Sequence, residues 1–263
     1  MNMKKLILCF SILQIQSECM AQSHSYTGLC AYSKNLDAFS WTVQPAVLAQ
    51  QVPAGFSLLA EKKFMLQDLN YLEANISLDT KWGNFGFQAQ GLINPGYLES
   101  HYNLAYGKMV ARDLSLGVNF GYSQSGNKRY GIERKYTSGL GVLCQLSEKL
   151  FAGFFAKATT GSNFLVSTDI RIGMGYDVSP LVHLSLQIIK KYGHQASAIA
   201  GLHYQLTKRL WARAGIDTGV SGWWMGVGMF LTKFRIDLVN NYHPQLGFSP
   251  AIILFFSFNK PAK

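Results

Sequence analysis

Cysteine is nearly absent from this chain, and that removes whole classes of function. Four occur in 263 residues. Cys9 and Cys19 fall within the first 21 residues, leaving Cys30 and Cys144, which allow at most one bridge and make no disulfide framework. No zinc or redox spacing remains, so no metal or cofactor is expected. Long apolar runs are missing too: beyond residue 21 no segment reaches the roughly 20 apolar residues a spanning helix needs. A membrane protein with this sequence must therefore be a closed barrel, the other architecture that satisfies every backbone group in lipid. No Gly-x-Ser-x-Gly occurs, and His183, His194, His203 and His243 stand beside no serine in a nucleophile arrangement, which argues against an enzyme. Acidic residues are outnumbered, 14 against 24 basic ones, for a net charge of +10. Such a balance favours acidic surfaces, lipid headgroups or nucleic acid.

What is present begins with export. Residues 1–21 have a basic start at Lys4 and Lys5, an apolar run from Leu6 to Ile15, and Cys19-Met20-Ala21 before Gln22. The pattern is that of a cleaved signal peptide. Without it the net charge becomes +9, through loss of Lys4, Lys5 and Glu18. An exported chain is not expected to have a nucleic-acid partner.

The rest of the sequence alternates with period two. "LSLGVNFGYS" sets Leu114, Leu116, Val118, Phe120 and Tyr122 against Ser115, Gly117, Asn119, Gly121 and Ser123. In "VSTDIRIGMGYD" all charge lies on one face, with Asp169, Arg171 and Asp177 opposite Ile170, Ile172 and Tyr176. The turns repeat as well: "ARDL", "SEKL", "VSPL" and "TKRL" end at Leu114, Leu150, Leu181 and Leu210, one hairpin apart. Between them lie Gly161-Ser162, Gly193-His194 and Ser221-Gly222, which read as tight turns at the opposite rim. The pattern predicts about 14 strands, from 54–63 and 68–79 to 233–242 and 247–258, an even number as bacterial barrels require. A soluble sandwich would alternate too, but would give water a face rich in Lys, Glu and Thr. Here the polar face carries Gly, Ser, Asn and charges of both signs, which suits a confined lumen. In the final strand, Phe255, Phe256 and Phe258 are expected to form a lipid-facing girdle. The fold class is all-β: a transmembrane antiparallel barrel at 54–259, an N-terminal plug segment at 22–53 and a tail at 260–263.

The segment before the first strand is not patterned as a strand. In "DAFSWTVQPAVLA" Pro45 reads as the first residue of a brief helix. This stretch resembles the Asn-Pro-Ala element near the start of barrels related to the fatty-acid transporter FadL and to the PorV and PorQ proteins of type IX secretion. Gln44 stands where that family has Asn, with Pro45 and Ala46 kept. "NYHPQLGFSP" at 241–250 resembles the turn into the last strand of the same barrels. The resemblance implies a 14-stranded outer-membrane barrel with its N-terminal segment folded into the lumen. Gln44, Pro45 and Ala46 would then belong to a plug or a gate.

Six charges fall at lumen positions: Asp169, Arg171, Arg213, Asp217, Arg235 and Asp237. Buried charges are expected to be paired, so they should clasp the plug or one another across the lumen, or else line an ion path. Fourteen strands of about 12 residues leave on the order of 45 residues for the connections. One sizeable loop is expected, at 123–135, made basic by Lys128, Arg129, Arg134 and Lys135 and available to a partner. FadL-type transporters carry longer loops and a longer plug. A loop-poor, plugged barrel is therefore expected to anchor or adapt secretion or surface-protein machinery at the bacterial outer membrane, as in the PorV and PorQ branch. Its expected partners are outer-membrane lipid and other outer-membrane or secretion-system proteins. The alternative is FadL-like passive transport of a small hydrophobic molecule.

Overall fold

The computed structural model describes residues 26, 29–33, 36, 38–50, 52, 54–127, 131–161, 166–231 and 233–258. The signal peptide expected at 1–21 and the tail at 260–263 lie outside the described residues, as do Lys128, Arg129 and Ser162. Fourteen strands close on themselves: β1 (Gly55–Lys62), β2 (Asn70–Leu78), β3 (Asn84–Asn94), β4 (Tyr97–Ala111), β5 (Leu114–Asn127), β6 (Gly131–Gln145) and β7 (Leu150–Gly161). The second half is β8 (Val166–Ser179), β9 (Val182–Lys191), β10 (Ser197–Gln205), β11 (Leu210–Asp217), β12 (Gly222–Leu231), β13 (Phe234–His243) and β14 (Gly247–Ser257). Each strand pairs antiparallel with its neighbours in sequence, and β1 closes on β14 through the register Gly55↔Ser257. Closure leaves no strand edge unpaired, which is what allows a sheet to stand in lipid.

The ends of the described barrel share one rim, called here the terminal rim. The β4–β5, β6–β7, β8–β9 and β10–β11 turns that repeat in the sequence lie there. The far rim carries the connections expected at Gly193 and Ser221, whose φ angles of +76° and +51° are those of tight turns.

Alternation becomes inside and outside. Leu58, Phe87, Leu104, Phe120, Leu140, Ile172, Leu186, Val227, Leu238 and Ile252 all point outward and are exposed. Aromatic residues mark both edges of this apolar band. Near the far rim Tyr102, Tyr122 and Tyr136 stand side by side, with ring centroids 6.5 and 5.5 Å apart. Trp223, Tyr242 and Phe248 form a second group there. Near the terminal rim Phe234 meets Phe256 at 5.1 Å, and Phe256 meets Phe258 at 6.2 Å. An apolar band between aromatic girdles is the exterior of a membrane-spanning barrel.

Two expectations are corrected. Phe255 turns inward, 4% exposed, because it has the parity of Ala251 and Ile253; only Phe256 and Phe258 face outward at that edge. The basic loop at 123–135 is almost all strand. β5 runs to Asn127 and β6 starts at Gly131, with Ser123 paired to Lys135 and Gln124 to Arg134. The alternation there is masked by charge, yet Lys135 keeps the inward parity of Thr137 and Arg134 the outward parity of Tyr136. Cys30 and Cys144 form no disulfide: Cys30 is buried in the N-terminal segment, and Cys144 has the outward parity of Val142 on β6.

The apolar band makes a direct prediction. Leu140→Lys places a charge near the middle of β6 in lipid and should lower barrel stability by about 2–4 kcal/mol, as read by urea unfolding in bilayers. Ser115→Thr, inward on the same sheet, should change it far less.

Candidate functional site

The N-terminal segment lies inside the barrel, and its seat is made of glycine. Gly107, Gly117, Gly141, Gly153, Gly173, Gly175 and Gly201 all have inward parity. A side chain on any of them would run into the segment. At Gly107 an added Cβ would fall 2.7 Å from the backbone of Ala49, and at Gly117 it would overlap the backbone of Pro45 and Ala46. Gly173 and Gly175 leave a slot on β8 for the Tyr32 ring, and Gly201 leaves room for Leu29. Gly86 on β3 takes the indole of Trp41, whose atoms would come within 2.8 Å of an added Cβ.

Within the segment, α1 (Ser40–Val43) is followed by a 3₁₀ turn at Pro45–Ala49. Proline opens the second turn because its fixed φ and missing N–H suit the first position. It also holds the residue before it extended: Gln44 has φ −139° and ψ 100°. That break aims the Gln44 side chain at the wall, where Nε2 donates to the carbonyls of Val142 at 2.9 Å and Phe154 at 3.0 Å. Val142 and Phe154 are register partners on β6 and β7. One fully buried amide thus straddles a strand seam, reaching it through the space that Gly141 and Gly153 leave open. Asn84 Nδ2 donates to the Leu48 carbonyl at 2.6 Å, fastening the end of the turn to β3.

A second fastening holds residues 29–33. His183 Nδ1 lies 2.7 Å from Asp177 Oδ1, and its Nε2 lies 3.3 Å from the Leu29 carbonyl. Ser33 Oγ donates to the same Asp177 oxygen at 3.0 Å. Gln187 Nε2 donates to Tyr32 Oη at 3.2 Å. Burial pushes the Tyr32 phenol up, against the opposing pull of the Gln187 bond and the Arg171 charge, and keeps it neutral at ordinary pH.

All six expected lumen charges face inward, but they do not gather at one place. Arg235 Nη2 meets Asp237 Oδ2 at 2.9 Å along a single strand, not across the lumen, because residues two apart share a face. Both Arg213 and Arg235 lie over the Trp211 ring, at 5.7 and 5.4 Å. Arg213 Nε also donates to His203 Nδ1 at 3.2 Å. Asp217 Oδ1 accepts the Gly219 N–H at 2.8 Å and serves the turn. Asp169 pairs with Lys157 at 3.2 Å, and Arg171 reaches toward the segment, 3.5 Å from the Val43 carbonyl.

Sequence reasoning missed the acidic wall on β1–β4. Glu73 Oε1 accepts from Asn75 at 2.9 Å and Gln88 at 2.7 Å, while Tyr71 Oη lies 2.8 Å from its other oxygen. Asn103 Nδ2 extends the chain to Gln88 Oε1 at 2.7 Å. Glu61 is held by Lys63 at 3.1 Å and by Asn241 at 3.2 Å. The signal was available in "NYLEANISL", where Tyr71, Glu73, Asn75 and Ser77 share one parity.

No family model and no curated protein matches this sequence. Solved structures do match its fold. The CymD monoaromatic hydrocarbon channel is 10% identical, with a TM-score of 0.61 over 86% of this chain and 94% of that one. The toluene transporter TodX of Pseudomonas putida is 9% identical, with a TM-score of 0.58 over 88% and 97%. The chain therefore has the fold of outer-membrane β-barrel channels.

The seating predicts its own failure. Gln44→Ala removes two hydrogen bonds and should loosen the segment by about 1–3 kcal/mol, raising amide exchange at Trp41–Leu48 while the strands keep their protection. Gly117→Val should do the same with Gln44 intact, since the displaced atoms belong to backbone.

Proposed function

We propose that the protein is a passive outer-membrane channel for small hydrophobic molecules, gated by its N-terminal segment. The observation that carries this reading is an apolar stripe on the inward face of β12–β14 and β1, made by Trp224, Val239, Ala251, Ile253, Phe255 and Leu59. Lumens of water-filled barrels are polar, so an apolar stripe suits a solute that leaves water unwillingly. Tyr26, Leu29 and Phe39 of the segment pack on this stripe. They occupy the place such a solute would take. Movement of the segment off the stripe would open it, with Gln44, Pro45 and Ala46 as the part that must release. CymD and TodX, named as hydrocarbon channels, support the reading by analogy of fold.

The reading is non-enzymatic, since His183, the buried histidine with a carboxylate partner, has both ring nitrogens engaged, Nδ1 with Asp177 on β8 and Nε2 with the Leu29 carbonyl of the segment. A second reading, an anchor or adaptor for secretion or surface-protein machinery, draws support from the same tight seating and from strands that run almost to the rims. It requires protein partners that survive mild extraction.

Toluene uptake into liposomes separates the two. The transport reading expects uptake above protein-free vesicles, and several-fold faster uptake with Gln44→Ala. Flat uptake for both proteins, together with stoichiometric co-purifying proteins from outer membranes, would replace transport with the adaptor.

A further inference from the structure

We infer that the inward face of β7–β9 carries an anion-binding site, formed by Lys157, Arg171 and Lys191, that takes the phosphate group of a solute entering from the far rim. The register places Lys157, Asp169 and Lys191 in one row across the three strands, where directly opposed side chains stand roughly 5 Å apart at Cβ. The next row toward the terminal rim is Phe155, Arg171 and Ile189. The row on the other side opposes Thr159 to Ser167, adding two hydroxyls.

Charge in this group does not balance. Asp169 is spent on Lys157, at 3.2 Å. Among the described residues Lys191 forms no ion pair, and the three cations set against one carboxylate leave a net charge of +2. The other acidic residues of β6–β9 are engaged elsewhere: Glu133 with Lys135 at 3.3 Å, and Asp177 with His183. Glu61, Glu73 and Glu99 stand on β1, β2 and β4.

Arg171 gives an independent sign of an acceptor site. The residue is only 7% exposed, yet its Nε has no hydrogen-bond partner among the described residues. Its hydrogen bond to the Val43 carbonyl is long, at 3.5 Å. The guanidinium rests 5.8 Å from the Phe155 ring centre, held in place with donors to spare. A buried guanidinium with an open donor is costly unless an acceptor arrives. The row is reachable, since the Lys157 side chain is 26% exposed in the lumen. A phosphate group carries close to two negative charges near neutral pH and three acceptor oxygens, matching both the excess charge and the number of cations. A carboxylate would leave one charge unanswered.

The proposal does not depend on hydrocarbon transport. Equilibrium dialysis of the full-length barrel in zwitterionic detergent at low salt, with labelled inorganic phosphate, tests it, with acetate run in parallel. The expected result is one saturable phosphate per barrel and weaker acetate. Arg171→Gln and Lys191→Gln should each weaken phosphate by about tenfold or more. Lys190→Gln, whose side chain points outward, should leave it unchanged. Lys191 is half-buried, so its variant keeps the test open if Arg171→Gln fails to fold. No saturable phosphate, acetate bound as tightly as phosphate, or equal weakening by Lys190→Gln would each overturn the site. Loss of toluene uptake with phosphate binding intact would count against the transport reading alone.

Discussion

Closure of the sheet is the constraint on which the rest depends. In lipid a strand edge cannot leave its N–H and C=O groups bare, so the fourteenth strand must return to the first. Closure then creates an interior that has to be filled, and this chain fills much of it with its own N-terminal segment. Close approach of one backbone to another demands positions without side chains, which is why glycine recurs on the inward parity of β4–β8 and β10. Those glycines give up strand-packing contacts of their own. What they gain is a seat in which Tyr32, Gln44, Pro45 and Trp41 reach the wall.

Polar groups enclosed with the segment sort by what surrounds them. On β1–β4, Glu73 accepts hydrogen bonds from Asn75, Gln88 and Tyr71 on its own wall, while Glu61 is answered by Lys63 and by Asn241 of β13. On β11–β13, arginines rest on Trp211 and Phe255. On β7–β9 the cations exceed the acids, and one guanidinium keeps an unused donor. The interior is therefore divided into an acidic network, an aromatic-backed basic group, an apolar stripe and an anion-seeking row.

Much of the barrel was legible in the sequence. All fourteen expected strand spans needed only their ends trimmed or extended, because alternation with period two is imposed wherever one face meets lipid. The loop expected at 123–135 failed for the same physical reason: near a rim both faces meet water, and charge on both parities hides the pattern, so β5 and β6 run further than their alternation shows. Phe255 failed differently, since an aromatic residue at a girdle's height was read from its type and not from its parity. Of the site, the six lumen charges could be placed on the correct face by parity, and Arg235 and Asp237 share one strand, while the partners on other strands could not be read. Lys157, which answers Asp169, is on another strand, and which strands oppose which residues is a matter of register.

The chain by itself determined the strand spans, the inside and outside of each, the turns at both rims and the break at Gln44-Pro45. These are local, set by side-chain period and by the backbone limits of proline. Only the tertiary structure decided that the glycines are a seat, that one Gln44 amide bridges β6 and β7, and that Lys157, Arg171 and Lys191 converge. Each of those facts joins residues far apart in sequence. Ring closure and strand register bring them together, and no local pattern records either.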